Sequence, residues 1–287
     1  MKTSTTVQTI LLSAALAGVA LFTGWQLVGS WALILLAGFI AAVGISVFRT
    51  HPRLRLQGAR AIRPFEAPGL FDMVDRLSRR AGLARLPELY FIRSRSVNAA
   101  TMGDSDHAVI LLTDGVLAAL PPREIEGVIA HEIAHVKNRD LALFRLAEVL
   151  RQATLLFTRA GWLLVIFALP VLLFSGGLSP GALLVLVAAP LVSWVLQLAL
   201  LRTREFAADA TAVELTGDPD GLADALRRIE YVQRSFMQVF LPVGVDDEGS
   251  LFRTHPRTKE RVERLRALRR RDSGGRTRPL HDALFSV

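Results

Sequence analysis

Apolar and polar positions divide this chain into alternating blocks. Two tracts, Thr3 to Phe48 and Ala160 to Leu201, contain no Asp, Glu, Lys, Arg or His, and each is long enough for two membrane-crossing helices of about 20 residues. The first tract divides near Gly29-Ser30 into Val7 to Val28 and Trp31 to Phe48; the second divides at Ser175-Gly176-Gly177-Leu178-Ser179-Pro180. The pattern predicts four helices in two hairpins. In the polar blocks it predicts a helix over Pro68 to Ala81, strands over Glu88 to Ile92 and Ala108 to Thr113, and a helix opening near Pro121-Pro122, where proline suits the first turn. Residues 202–287 are mainly helical and end in an Arg/Gly/Ser-rich tail, Arg269 to Arg278, with the composition of a mobile end. The expected domains are thus a hairpin at 1–50, a polar part at 51–158, a second hairpin at 159–201 and a second polar part at 202–287.

Composition supports a membrane chain. Of 287 residues, 51% are hydrophobic, and a mean hydropathy of +0.37 is high for a soluble domain. Arg49, Arg53, Arg55, Arg60 and Arg63 follow the second span, Arg145, Arg151 and Arg159 precede the third, and Arg202 and Arg204 follow the fourth. The positive-inside rule then places the polar parts in the cytoplasm, with two uncharged turns outside. A second span directly after the first weighs against a cleaved leader at Ser13 to Ala17. The net charge of +8 sits at span ends and no nucleic-acid motif is present, so its expected partner is an anionic lipid surface, not nucleic acid. The lack of cysteine is compatible with a reducing compartment. A transporter or channel would need ionisable residues within the spans, and neither tract has one.

The helix after Pro122 carries His131-Glu132-Ile133-Ala134-His135. Positions i and i+4 share a helix face, so the two imidazoles can grip one metal ion, while Glu132 is placed to take a proton from the water that the metal activates. Ile125, Val128, Ile129 and Ile133 give that helix its inward side. Two surface histidines on an amphipathic helix are the plain alternative, and a third ligand decides between them. The candidate is Glu205, with Asp209 one turn on and able to hold a ligand histidine through a hydrogen bond; otherwise Glu205 merely pairs with Arg202 or another arginine. Chain geometry favours the ligand. If Asn138-Arg139-Asp140 breaks the motif helix and Asp140 caps the next, the arms entering and leaving the second hairpin bring Glu205 back near His135, close to the cytoplasmic membrane face.

At this point the sequence resembles the HtpX family of membrane-integrated zinc metalloproteases, related to the CAAX prenyl proteases. The resemblance rests on the motif helix followed by Asn138-Arg139-Asp140, on Asn98-Ala99-Ala100-Thr101-Met102-Gly103, on Arg204 through Asp209, and on Leu251 through Arg257 with Arg261 and Leu265. It implies a mainly α fold in which four transmembrane helices accompany a cytoplasmic α+β, zincin-like protease domain with a small sheet. It further implies one zinc ion per chain on His131, His135 and Glu205, Glu132 as general base, and a stress-linked quality-control endopeptidase of the bacterial inner membrane that cuts misfolded or damaged membrane proteins. It suggests His255 as donor to the oxyanion, with Arg261 nearby; an ordinary loop histidine and a surface arginine are the alternative. Asn98, Ala99, Ala100 and Thr101 are expected to form an edge that pairs with extended substrate. Similar proteins carry phenylalanine where this chain has Ala100, which alters a neighbouring pocket.

His51, His107 and His281 lack metal-like spacing and are expected on the surface or in loops. Arg159 is expected to snorkel to headgroups, and Pro170 and Pro190 to kink their spans. Two other readings compete with general proteolysis: a dedicated processing enzyme for one membrane or lipidated partner, and a catalytically silent zinc-binding scaffold.

Overall fold

A computed structural model of the chain describes residues 2–28, 30–31, 33–34, 36–38, 41, 58–104, 106–175, 180–240 and 258–272. They fall into two compact units, one within residues 51–142 and 204–287 and the other within 3–50 and 143–203.

The first unit is built on a four-stranded mixed sheet. Strands β1 (Ala59–Ala61), β2 (Glu88–Ile92), β3 (Ala99–Met102) and β4 (Val109–Thr113) lie in the order β1-β2-β4-β3. The central strands β2 and β4 run parallel. Burial on both faces is typical of parallel strands, and Val109, Ile110 and Leu112 are all buried. β3 folds back antiparallel on the far side of β4, which makes it an edge strand among the described residues. The turn between them needs glycine: Gly103 has φ +101°, and a Cβ there would lie 2.0 Å from the His107 carbonyl oxygen. Thr113 pins the approach to β3, its hydroxyl donating to the Ser96 carbonyl (2.6 Å) and accepting from the Asn98 amide (3.0 Å). The short strand β1 was not foreseen, since three residues carry too little alternation to register.

Helix α1 (Lys2–Val28) precedes the sheet in sequence. Helix α2 (Pro68–Ala81) has the bounds its pattern predicts, with proline at its start and left-handed Gly82 closing it. The short α3 (Asp114–Ala119), capped by Thr113, was missed. Helix α4 (Pro122–Lys137) carries the histidine motif. Its Ile129 and Ile133 are fully buried in one core with Leu77 of α2, Ile110 and Leu112 of β4, Leu222 of α7 (Pro219–Phe240) and Leu265 of α8 (Thr258–Asp272). Gly127 permits close approach, because a Cβ there would meet the Leu222 backbone at 2.9 Å.

The expected break after the motif is present. Asn138 closes α4, Arg139 is left-handed at φ 58°, and α5 (Asp140–Ser175) begins at the next residue. Helix α6 (Pro180–Thr216) carries Pro190 in its interior.

In the second unit, Leu16 packs with Ala147, Leu150 and Leu200, and Ala20 with Leu36, Ala153 and Phe157. Among the described residues, one helix has a stretch long and apolar enough to cross a membrane, Thr6–Thr23 at mean hydropathy 1.7. Most of the expected span Trp31 to Phe48, and the turn at 176–179, lie outside the described residues. Ile10, Leu11, Leu163, Ile166, Leu184 and Val187 all point outward, each more than half exposed.

Candidate active site

Five elements of the first unit converge on one buried cluster. α4 supplies His131, Glu132 and His135, α6 supplies Arg204, Glu205 and Asp209, α5 supplies its first residue Asp140, α8 supplies Arg261 and β3 supplies Thr101. Of the imidazoles, carboxylates and guanidinium gathered there, none is more than 8% exposed apart from Arg204 and the threonine. Such a concentration of ionisable groups in a core is costly unless charges are matched.

Three of these groups face one point. The His131 and His135 Nε2 atoms are 3.2 Å apart; Glu205 Oε2 lies 3.5 Å from His131 Nε2, and Oε1 lies 3.6 Å from His135 Nε2. Ligands about 2.0–2.1 Å from a tetrahedral metal are separated by about 3.3 Å from one another, so the triangle has the size such an ion requires. Charge gives a second test. Glu132, Asp140, Glu205 and Asp209 bring four negative charges, and Arg204 and Arg261 bring two positive ones. The deficit equals the charge of a divalent cation. The imidazoles respond to the same deficit: burial pushes His135 down, but its hydrogen bonds to the Asp140 and Glu205 carboxylates outweigh it and lift its pKa from 6.5 to about 10. His131 is likewise raised, with Asp209 and Glu205 overcoming burial and Arg261. The residues present fit a bound divalent metal.

The outward nitrogens are held by acids. His131 Nδ1 lies 3.0 Å from Asp209 Oδ1, and His135 Nδ1 lies 2.8 Å from Asp140 Oδ2. A proton fixed at Nδ1 leaves the Nε2 lone pair for a metal. Each acid is in turn gripped by arginine. Arg261 donates to both Asp209 oxygens, at 2.7 and 2.6 Å, and approaches Glu205 Oε2 at 3.0 Å. Arg204 holds Asp140 Oδ1 through Nε at 2.5 Å and through a second nitrogen. Burial raises the Asp209 carboxyl, but Arg261 and His131 prevail and hold it below its ordinary value.

Glu132 is buried as well, and the Thr101 hydroxyl donates to its Oε2 at 2.6 Å.

Sequence reasoning had named most of this cluster. Glu205 pairs with Arg261, not with the solvated arginine the plain alternative offered. Arg261 is buried, not a surface residue of a basic helix. His107 is exposed beside Asp104 and Arg85, away from this cluster. His255, His51 and His281 lie outside the described residues. Asp140, Arg204 and the Thr101 hydroxyl were not recognised as parts of the site. Asp140 lies five residues beyond His135, and no helical spacing pairs them; the left-handed turn at Arg139 does.

Comparison with known proteins agrees with this geometry. The model of peptidase family M48 matches residues 64–269. A protease HtpX homolog of Acaryochloris marina is 38% identical over 273 residues, covering 89% of this chain and 90% of that protein. One from Persephonella marina is 34% identical, covering 93% and 98%. The crystal structure of S. mikatae Ste24p shares the fold at a TM-score of 0.55 and 21% identity, over 91% of this chain and 65% of that one. With two motif histidines and a distant glutamate arranged as metal ligands, the chain belongs to peptidase family M48 and is a metalloprotease.

Proposed function

We propose that this chain is a membrane-integrated zinc endopeptidase of the bacterial inner membrane, with its active site on the cytoplasmic side and misfolded or damaged membrane proteins as its substrates. The observation that carries the reading is the buried triangle of His131, His135 and Glu205 with Glu132 beside it. Two imidazoles and one carboxylate are a common zinc donor set that leaves a fourth position open. Zinc held there would supply Lewis acidity to the scissile carbonyl and to a water molecule. Glu132 accepts the proton of the attacking water and passes it to the departing amine. Asp209 and Asp140 keep the histidines in the ligating tautomer. Arg261 fixes the carboxylates of Asp209 and Glu205, and His255 donates to the developing oxyanion.

Edge strand β3 supports a polypeptide substrate. The Asn98 carbonyl accepts from the Thr113 amide across the sheet, so in the alternating antiparallel pattern the backbone groups of Ala99 and Thr101 face the open side. An extended segment pairing there would run past Glu132. Ala100, small where similar proteins have phenylalanine, leaves room for a bulky substrate side chain. The apolar exterior of the second unit and the arginines flanking both charge-free tracts support four spans with the polar parts inside.

The experiment is cleavage of an unfolded polypeptide and of intact membrane proteins by the purified full chain, before and after chelation and zinc restoration. Chelation abolishes cleavage, zinc restores it, and Glu132→Gln retains zinc while losing about 10²–10⁴-fold in rate. A chain that holds zinc but cleaves nothing is the scaffold of the competing reading. Cleavage confined to one folded partner marks a dedicated processing enzyme.

A further inference from the structure

Glu132 is the acid on which the proposed reaction turns, and a carboxylate that must take a proton along one line cannot be left to rotate. His131 and His135 are fixed through their Nδ1 atoms by Asp209 and Asp140. For Glu132, the hydrogen bond that the structure shows comes from β3, where Thr101 Oγ1 lies 2.6 Å from Oε2. A hydroxyl donating to a carboxylate at this distance is a short, charge-assisted bond. The same hydroxyl is 3.4 Å from the Glu132 carbonyl oxygen, so its one proton goes to the nearer, charged acceptor. With Oε2 engaged, Oε1 is the oxygen left to receive a proton.

The position of Thr101 on the sheet gives this contact a second meaning. Thr101 pairs with Ile110, and the parity set by the Asn98 to Thr113 bond directs its backbone N–H and C=O away from β4 toward the open edge. One residue therefore offers its backbone to an incoming strand and its side chain to the base. A strand that docks in register sits against the residue that holds the carboxylate.

Resting on the protease reading above, we infer that Thr101 is a positioning residue for Glu132, joining the edge on which substrate docks to the orientation of the general base. Both hydrogen-bond partners of the hydroxyl are on Glu132, not on His131, His135 or Glu205. Its loss is therefore a loss of turnover, not of zinc or of substrate affinity.

The test is steady-state cleavage of an unstructured polypeptide by the zinc-loaded full chain carrying Thr101→Val, Thr101→Ala or Thr101→Ser, with zinc content measured on each. Valine keeps the shape and removes the donor, and serine keeps the donor. The expected result is a fall in kcat of roughly tenfold to a hundredfold for Val and Ala, the ratio that one hydrogen bond to a charged group represents. KM stays within about twofold and zinc content is unchanged, while Ser stays within about threefold of the parent in kcat. Full turnover in Thr101→Val, a serine variant as slow as valine, or a loss confined to KM or zinc content overturns the inference while the parent enzyme still cleaves. A parent chain that loads zinc and cleaves nothing overturns the protease reading, and this inference with it.

Discussion

The two motif histidines sit one turn apart on the same helix, yet their supports are assembled in opposite ways. His135 is braced locally: Asp140 lies five residues on, delivered by the left-handed turn at Arg139, and Arg204 closes the far side. His131 is braced from a distance, by Asp209 on α6 and Arg261 on α8. The distant brace does more, because Arg261 reaches both Asp209 and Glu205. Disturbing it affects two of the three residues proposed to hold the metal, whereas disturbing Asp140 affects one. The local brace is also less deeply buried at its cation, since the Arg204 side chain is 12% exposed and that of Arg261 7%.

This difference sets the order of expected effects. Asp209→Asn keeps an acceptor for His131 but leaves Arg261 with an uncompensated charge drawn onto Glu205. Zinc affinity, measured by chelator competition, falls about a hundredfold, and denaturation of the metal-free protein shows a loss of about 3–5 kcal/mol. Asp140→Asn, measured the same way, costs about tenfold in zinc affinity. Equal losses in the two variants would mean that Arg261 does not couple two ligands. At Arg139 the turn itself is tested: Arg139→Val, a branched residue at positive φ, lowers stability by about 1–2 kcal/mol and loosens zinc, and Arg139→Gly leaves zinc binding intact.

A pH dependence of the metal-free protein tests the same imidazoles. The His135 pKa is raised from 6.5 to about 10, so protonation stabilises the fold fully below pH 6.5 and this contribution disappears as pH rises toward 10. The thermal midpoint of the chelated protein should fall across that window, and that of the zinc-loaded protein should not, because the cation replaces the proton. Parallel curves with and without zinc would break the link between the imidazoles and the metal.

The order of legibility follows the same contrast. The bounds of α2 and β2 were readable because periodicity, proline and glycine act over a few residues. His131 and His135 could be paired because they share a helix face, and Glu205 could be proposed beside them because it follows a charge-free tract. Asp140 was seen as a helix start but not as the partner of His135, since one residue at φ 58° turns it toward the ring.

The sequence by itself determined the elements, the apolar tracts, the metal-binding residue types and the candidate base, because each is written in local spacing and composition. Tertiary structure alone decided that Arg261 is a buried clamp and not a surface charge, that Arg204 locks Asp140, and that a threonine on the sheet edge holds Glu132. Those contacts join residues as many as 64 apart in the chain between Asp140 and Arg204. Only packing against a common core fixes distances of that kind, since no local rule links positions with so much chain between them.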